Sequence, residues 1–154
     1  MNLRIIQTGK TKKGWLNQGV QEYLKRLGPL QRIEVLEVPD ASLRTAGSSE
    51  AVKAREAETI LRQIDPRDHV VLLDERGEAK TSLEFSSFLD RLSGRKPVVF
   101  VIGGVYGAGD RLIERADEIL RLSAMTFTHQ MARLILIEQI YRSLMIKNNR
   151  PYHY

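Results

Sequence analysis

The stretch VVFVIGGVYGAG, Val98–Gly109, joins five consecutive apolar residues to a bend that contains four glycines. A short, continuous apolar run of this kind is typical of a β-strand that is covered on both faces. The segment HVVLLD, His69–Asp74, has the same character, and an amphipathic helical pattern lies between the two, over residues 82–92. Buried strands that alternate with helices predict an α/β fold with a mostly parallel sheet flanked by helices.

The same alternation extends over the rest of the chain. Further strands are predicted at Leu3–Thr8, at Ile33–Val38 and around residues 119–123, and further helices over residues 14–27, over 57–64, from Asp110, and over Gln130–Lys147. A polar loop is predicted at Pro39–Ser49. Because the 154 residues contain no internal repeat, no low-complexity tract and no linker, they predict a single domain, 1–154.

Composition excludes several classes of protein. The chain has no cysteine, which excludes disulfides, thiolate metal sites and cysteine nucleophiles. No apolar window approaches the roughly 18 residues that a membrane span needs, and the basic start is not a signal peptide, so we expect a cytoplasmic protein without membrane contact. The net charge of +5 leans towards polyanionic partners. The basic residues crowd the N-terminal quarter: Lys10, Lys12, Lys13, Lys25, Arg26 and Arg32.

The glycine-rich bend does not match a phosphate-binding loop. Its glycines, at positions 103, 104, 107 and 109, fit no register of the dinucleotide fingerprint. Gly104 and Gly109 have the spacing of a Walker loop, but Asp110 and Arg111 follow where that loop needs Lys and Ser or Thr. The bend is therefore either a tight turn or a place where a neutral or cationic ligand approaches the backbone closely.

Two other loops follow predicted strands. They are LLDERGEAKTS, which starts at Leu72, and LRLSAMTFTHQMARL, which starts at Leu120 and leads into the longest helix. Ligands of parallel α/β sheets bind beyond the carboxyl ends of the strands. The small and hydroxylated residues of the second loop expose backbone amides and carbonyls, which suits recognition of an adenine edge.

Four motifs together resemble one family. They are LLDERG at 72–77, FVIGGVYG at 100–107, LSAMTFTHQMARLILIEQIYR at 122–142 and NNRPYHY at 148–154. In order and spacing they are similar to the small SPOUT-type methyltransferases of the RlmH family. The resemblance covers essentially the whole chain, and it implies S-adenosylmethionine-dependent methylation of N3 of a pseudouridine in 23S ribosomal RNA, on the assembled 70S ribosome. It also implies a homodimer with a C-terminal trefoil knot, and a reaction without a metal or a covalent enzyme intermediate.

The resemblance also implies roles for individual residues. The catalytic residues are Arg142, Tyr152 and His153. The cofactor-binding residues are Leu73, Gly103, Gly104, Leu122, Ser123, Ala124, Met125, Thr126, Phe127 and Thr128. The chain differs from the usual family pattern at Val105 and Thr128, where the family usually has proline.

Simpler interpretations stay open for several of these residues. Arg142 follows Glu138 by one helical turn, so an ion pair between them explains it as well. His129 caps or packs the last helix as readily as it acts in a site, and His69 is interpreted as structural. The last helix is apolar nearly all round, which predicts a two-fold dimer built largely on it. Two other classes of function remain as alternatives to a methyltransferase. One is a non-catalytic RNA-binding or ribosome-associated module, and the other is a nucleotide-dependent oxidoreductase, for which the dinucleotide fingerprint is lacking.

Overall fold

The computed structural model describes residues 1–154 as one five-stranded sheet with helices on both faces. The strands lie in the order β2-β1-β4-β3-β5, and every neighbouring pair is parallel. The elements are β1 Leu3–Thr8, α1 Trp15–Leu27, β2 Ile33–Val38, α2 Leu43–Ala46, α3 Ser49–Leu61, β3 His69–Ala79, α4 Ser82–Leu92, β4 Val98–Ile102, α5 Asp110–Arg115, β5 Glu118–Arg121 and α6 His129–Lys147. The predicted α/β class with a mostly parallel sheet is confirmed.

Strand β4 lies at the centre of the sheet, and all five of its residues are buried. Its side chains alternate between two cores, as the pleat of a strand requires. Val98, Phe100 and Ile102 belong to the core that α1, α4 and α6 cover. Val99 and Val101 belong to the core on the other face, which α3 and α5 cover. The apolar run therefore reflects helices on both sides of the sheet.

Strand β3 is longer than the sequence predicts. It continues past Asp74 to Ala79, because its second half pairs with β5 after an irregularity between Leu73 and Glu78. Gly77 permits this pairing: a Cβ there would lie 2.6 Å from the carbonyl carbon of Ile119. The segment that we predicted as a loop after the strand is thus largely a strand itself.

Helix α6 lies between α1 and α4 on one face of the sheet. The approach to α1 is close at Gly19, where a Cβ would lie 3.2 Å from a methyl group of Leu134. Every α6 residue from His129 to Ile146 is at least partly buried within this one chain. The helix is long, but neither it nor any other helix of the chain is both long and apolar enough to cross a membrane. The trefoil knot and the single domain over residues 1–154 stay predictions.

Candidate functional site

A cleft of about 930 Å³ opens at the carboxyl ends of β3, β4 and β5. Three connecting segments form its walls: the turn after Leu73 within β3, the glycine-rich bend after β4, and the loop between β5 and α6. Lys12 adds the loop after β1, and Lys53 adds helix α3. The cleft therefore lies between the loops that follow four of the five strands. This is the edge of the sheet at which parallel α/β proteins bind ligands.

The glycine-rich bend folds on itself. The N–H of Gly107 donates a 3.0 Å hydrogen bond to the carbonyl oxygen of Gly104, and Gly107 has a φ of 85°. A Cβ at Gly103 would lie 3.1 Å from the carbonyl carbon of Gly107. The bend thus needs Gly107 for its left-handed backbone and Gly103 for its narrow width.

Gly104 faces a buried carboxylate on α3. A Cβ at Gly104 would lie 2.6 Å from Oε1 of Glu56, whose other oxygen accepts a 3.0 Å hydrogen bond from the N–H of Ala41. Oε1 of Glu56 has no hydrogen-bond partner, and burial raises the pKa of this carboxyl group. A side chain at Gly104 would therefore meet Glu56 before it met a ligand in the cleft.

The loop between β5 and α6 forms the opposite wall. Of the predicted residues 122–128, all except Ala124 line the cleft. The Oγ of Ser123 accepts a 3.0 Å hydrogen bond from the N–H of Met125, which shapes the turn. Thr128 is the N-cap of α6: its Oγ1 accepts a hydrogen bond from the N–H of Met131. Its φ of −62° equals the value that proline imposes, so threonine preserves this backbone and adds a cap.

Apolar side chains stand exposed around the cleft. Val105 and Met125 each expose 76% of their surface, and Tyr106 and Phe127 are exposed as well. All four line the cleft. Since exposed apolar side chains that converge on a concave surface mark ligand sites, this rim favours a ligand with a flat apolar part.

The polar groups of the cleft carry both signs of charge. Asp74 accepts hydrogen bonds of 2.7 and 3.0 Å from the guanidinium of Arg76, and these contacts lower the pKa of Asp74. Burial, together with the nearby Arg133, lowers the pKa of His129, so this histidine is neutral at pH 7.

The three predicted catalytic residues lie together at the other end of α6. The guanidinium of Arg142 donates two hydrogen bonds to Oε1 of Glu138, and its Nη1 lies 3.1 Å from Nδ1 of His153. Tyr152 donates a 3.0 Å hydrogen bond to Glu138, and its hydroxyl lies 2.8 Å from that of Tyr23. Burial and the bonds to Tyr23 and Glu138 raise the pKa of Tyr152, so it stays a neutral phenol.

This geometry constrains the proton on His153. An arginine N–H only donates, so Nδ1 of His153 accepts from Arg142 and the ring proton is on Nε2. The imidazole then presents an N–H donor to the solvent side. The contact therefore favours a histidine that stabilises negative charge over one that accepts a proton.

The cleft and this cluster are far apart in one chain. His129 lines the cleft and Arg142 follows it by 13 residues of the same helix, which corresponds to about 20 Å at 1.5 Å per residue. The structure therefore brings the predicted cofactor residues together and the predicted catalytic residues together, but it does not join the two groups within one protomer.

Sequence reasoning missed several residues at both places. Lys12 follows β1, whose carboxyl end lies at the same edge of the parallel sheet, and that position is the signal that marks it. Glu56 is hidden among the alternating charges of α3, and no sequence signal marks it. Glu138 and Tyr23 hold Tyr152 of the C-terminal tail in place. Of the two, only Glu138 had a sequence signal, its spacing of four residues from Arg142. His69 pairs with Glu118 at 2.7 Å near the amino end of β3, as its structural interpretation predicts.

Comparisons with known proteins give a consistent result over the whole chain. Residues 1–153 match the family described as "Predicted SPOUT methyltransferase". The chain is 46% identical over 159 residues to the ribosomal RNA large subunit methyltransferase H of Trichlorobacter lovleyi, and the alignment covers 100% of both chains. It is 43% identical over 159 residues to the protein of the same name from an Exiguobacterium species, with 99% of each chain covered.

A solved structure with low sequence identity supports the fold. A Bordetella pertussis Tohama I protein described as a probable methyltransferase superposes with a TM-score of 0.61 at 17% identity, covering 93% of this chain and 94% of the other. The likeness at this identity concerns the fold alone. In the present structure no group of three or more histidine, aspartate or glutamate side chains is arranged to hold a metal ion.

Proposed function

We propose that this chain methylates N3 of a pseudouridine in 23S ribosomal RNA. It belongs to the SPOUT methyltransferase family and to its ribosomal RNA large subunit methyltransferase H members. The methyl donor in this proposal is S-adenosylmethionine. One observation carries the proposal: the match to these rRNA methyltransferases extends over the full length of both chains. The cleft at the carboxyl edge of the sheet is the site that it assigns to the donor.

The residues of the cleft fit S-adenosylmethionine. An adenosine needs an apolar surface for the base and backbone groups for its edge, and the rim of exposed apolar side chains beside the 122–128 loop offers both. The donor carries a sulfonium, a carboxylate and no phosphate; the cleft lining has carboxylates and cationic side chains, and its glycine-rich bend lacks a phosphate-binding motif. When bound, the donor supplies an electrophilic methyl group bonded to sulfur.

The protein must align the acceptor nitrogen and support its loss of a proton. In the transfer, N3 loses its proton to solvent, the N3–carbon bond forms, and the carbon–sulfur bond breaks. Most of the acceleration comes from holding these atoms in line. His153 donates its Nε2–H towards a carbonyl oxygen beside N3, where negative charge builds up, and Arg142 holds the imidazole in that tautomer.

Tyr152 orients the target base. Its hydroxyl is held by Glu138 and Tyr23, and its ring packs edge-on against that of Tyr141 with centroids 4.8 Å apart. The guanidinium of Arg142 lies over the ring, 4.8 Å from its centroid, so the fixed phenol offers its edge or its remaining face to a nucleobase. Because its pKa is raised, Tyr152 acts by position and hydrogen bonding rather than as a phenolate.

The active enzyme is a homodimer in this proposal, because one chain does not complete the site. The separation of about 20 Å along α6 leaves the tail cluster of one protomer remote from its own cleft. A two-fold partner that crosses α6 brings each tail to the other cleft. The substrate is the assembled 70S ribosome, where the target nucleotide is held in a folded RNA.

A methyl-transfer assay tests this function. The protein is incubated with S-adenosylmethionine that carries a labelled methyl group and, separately, with 70S ribosomes, 50S subunits and protein-free 23S rRNA. The expected result is label in the 23S rRNA of 70S ribosomes, recovered as N3-methylpseudouridine by mass spectrometry of nucleosides. Binding of RNA without any transfer would instead favour the non-catalytic RNA-binding module.

A further inference from the structure

The loop between β1 and α1 is strongly basic, and Lys12 alone connects it to the cleft described above. We call residues 9–14, GKTKKG, the lysine loop. Lys10, Lys12 and Lys13 are all exposed, and none of their ammonium groups lies within 4.0 Å of a carboxylate. Two carboxylates lie against the backbone of the loop and do not pair with its ammonium groups. Glu37 accepts from the N–H of Thr11, and Asp40 lies next to Gly9.

The lysine loop is held rigidly from α6. The side-chain amide of Gln130 donates a 3.0 Å hydrogen bond to the carbonyl oxygen of Lys10 and accepts a 3.1 Å bond from the N–H of Lys12. The guanidinium of Arg133 donates to the carbonyl oxygen of Thr8 and to the hydroxyl of Thr11. Arg133 is fully buried, so its guanidinium binds the loop from within the fold and stabilises the conformation of the loop.

The position of the lysine loop relates it to the cleft. Lys12 and Gln130 both line the cleft, and the loop follows β1, the strand next to β4. A group bound by the three lysines would therefore lie at the border of the proposed methyl-donor site. Because the backbone of the loop is already fixed, binding an anion costs the ordering of the lysine side chains but not the ordering of the loop itself.

We propose that the lysine loop binds backbone phosphates of the RNA next to the target nucleotide. Unpaired ammonium groups on an exposed, fixed loop are the arrangement that grips a polyanion through its charge and not through its sequence. This inference rests on the proposed function, which supplies an RNA substrate at the adjoining cleft. An acidic peptide would meet the same charges, but the proposed function supplies an RNA at this cleft. Trp15, which follows the loop directly and exposes 70% of its surface, is an aromatic surface on which a nucleobase can stack.

A pair of triple variants tests the inference. In the first, Lys10, Lys12 and Lys13 are changed to glutamine. In the control, Arg91, Arg95 and Lys96 are changed to glutamine; all three are exposed and lie before β4, at the opposite edge of the sheet. Both proteins lose three positive charges, so any effect of net charge alone is shared. Affinity for 70S ribosomes is measured over a range of KCl concentrations at fixed Mg²⁺, without S-adenosylmethionine, and S-adenosylmethionine affinity is measured separately by calorimetry.

The expected result is specific to the lysine loop. Three phosphate contacts account for a salt slope of about 2, so the first variant should show a slope shallower by up to that amount and bind RNA up to about 100-fold more weakly at 0.1 M salt. The control should keep the wild-type slope and the wild-type affinity for S-adenosylmethionine. The slopes are measured without S-adenosylmethionine, so any change in donor affinity that comes from Lys12 in the cleft lining does not enter them. Equal slopes for the two variants, or a wild-type protein that does not bind the ribosomes, would overturn the inference.

The proposed function can fail separately from this inference. If methyl transfer to ribosomes is intact while the slope of the lysine-loop variant is unchanged, only the inference is wrong. If the slope falls as expected but no methyl group reaches RNA, the lysine loop is an RNA-binding site and the proposed function is wrong.

Discussion

Replacing Gly104 by alanine should destabilise the protein through Glu56. The added Cβ would lie 2.6 Å from Oε1 and 3.1 Å from Oε2 of a carboxylate that is buried against it. Glu56 cannot move freely, because Oε2 holds the N–H of Ala41. Overpacking of this kind costs about 1–3 kcal/mol of unfolding free energy. Weakening the hydrogen bond between Glu56 and Ala41 would cost an amount within the same range.

A double-mutant cycle isolates the contact. Glu56→Ala removes the carboxylate that the new Cβ would strike, so Gly104→Ala should cost little on that background. The double variant should therefore be more stable than the sum of the single changes by about 1–2 kcal/mol. Gly28→Ala serves as the control: Gly28 has a right-handed helical φ of −45°, and a Cβ there makes ordinary contacts of 3.5 Å or more.

Urea unfolding measures the four stabilities, and calorimetry measures S-adenosylmethionine affinity on the same proteins. The affinity for S-adenosylmethionine should fall in Gly104→Ala and return in the double variant. The reason is that the added Cβ displaces the bend through its contact with Glu56 and does not itself occupy the cleft. Additive unfolding free energies would refute the contact between the Cβ and Glu56. Recovery of stability without recovery of affinity would show that the side chain enters the cleft after all.

Three further predictions concern the tail, the assembly and the buried carboxylate. His153→Ala should lower kcat for methyl transfer to 70S ribosomes by about 100-fold or more with S-adenosylmethionine affinity unchanged, and His153→Gln should retain more activity because its amide still donates; equal loss in both would argue for a proton acceptor. Sedimentation at micromolar concentration should show a dimer, and a strictly monomeric active species would contradict the split site. The pKa of Glu56 is raised in the folded state, so its contribution to stability is full below the unfolded pKa near 4.5 and is lost as pH rises through the folded value. Glu56→Gln should therefore gain stability relative to wild type between pH 4 and pH 8, and a pH-independent difference would contradict the burial of this group.

The sheet could be predicted because its determinants are local. The run Val98–Ile102 is apolar without alternation, and that pattern requires helices on both faces whichever strands lie beside it. The loops around the cleft could be located for the same reason, since parallel strands end at a common edge. The extension of β3 could not, because Gly77 signals a turn in the sequence and a close backbone approach in the structure.

The long-range contacts of the site were beyond the sequence. Glu56 lies 48 residues before Gly104, and Tyr23 lies 129 residues before Tyr152, so no local pattern connects either pair. The separation of the cleft from the tail is different. It follows from the length of the predicted last helix, at about 1.5 Å per residue, and the sequence was sufficient to derive it. The apolar surface of that helix turns out to be largely covered by α1 and α4, so the case for a dimer now depends on this separation.

Mixing two inactive variants tests the split site most directly. Ser123→Trp places an indole in the cleft, and deletion of residues 151–154 removes the tail; calorimetry first establishes that only the former has lost S-adenosylmethionine binding. After joint unfolding and refolding, half of the dimers are mixed, and each mixed dimer has one intact cleft opposite one intact tail. The account predicts about a quarter of the wild-type methyl transfer to 70S ribosomes from a mixture of two proteins that are each inactive alone. A mixture as inactive as its components would contradict it.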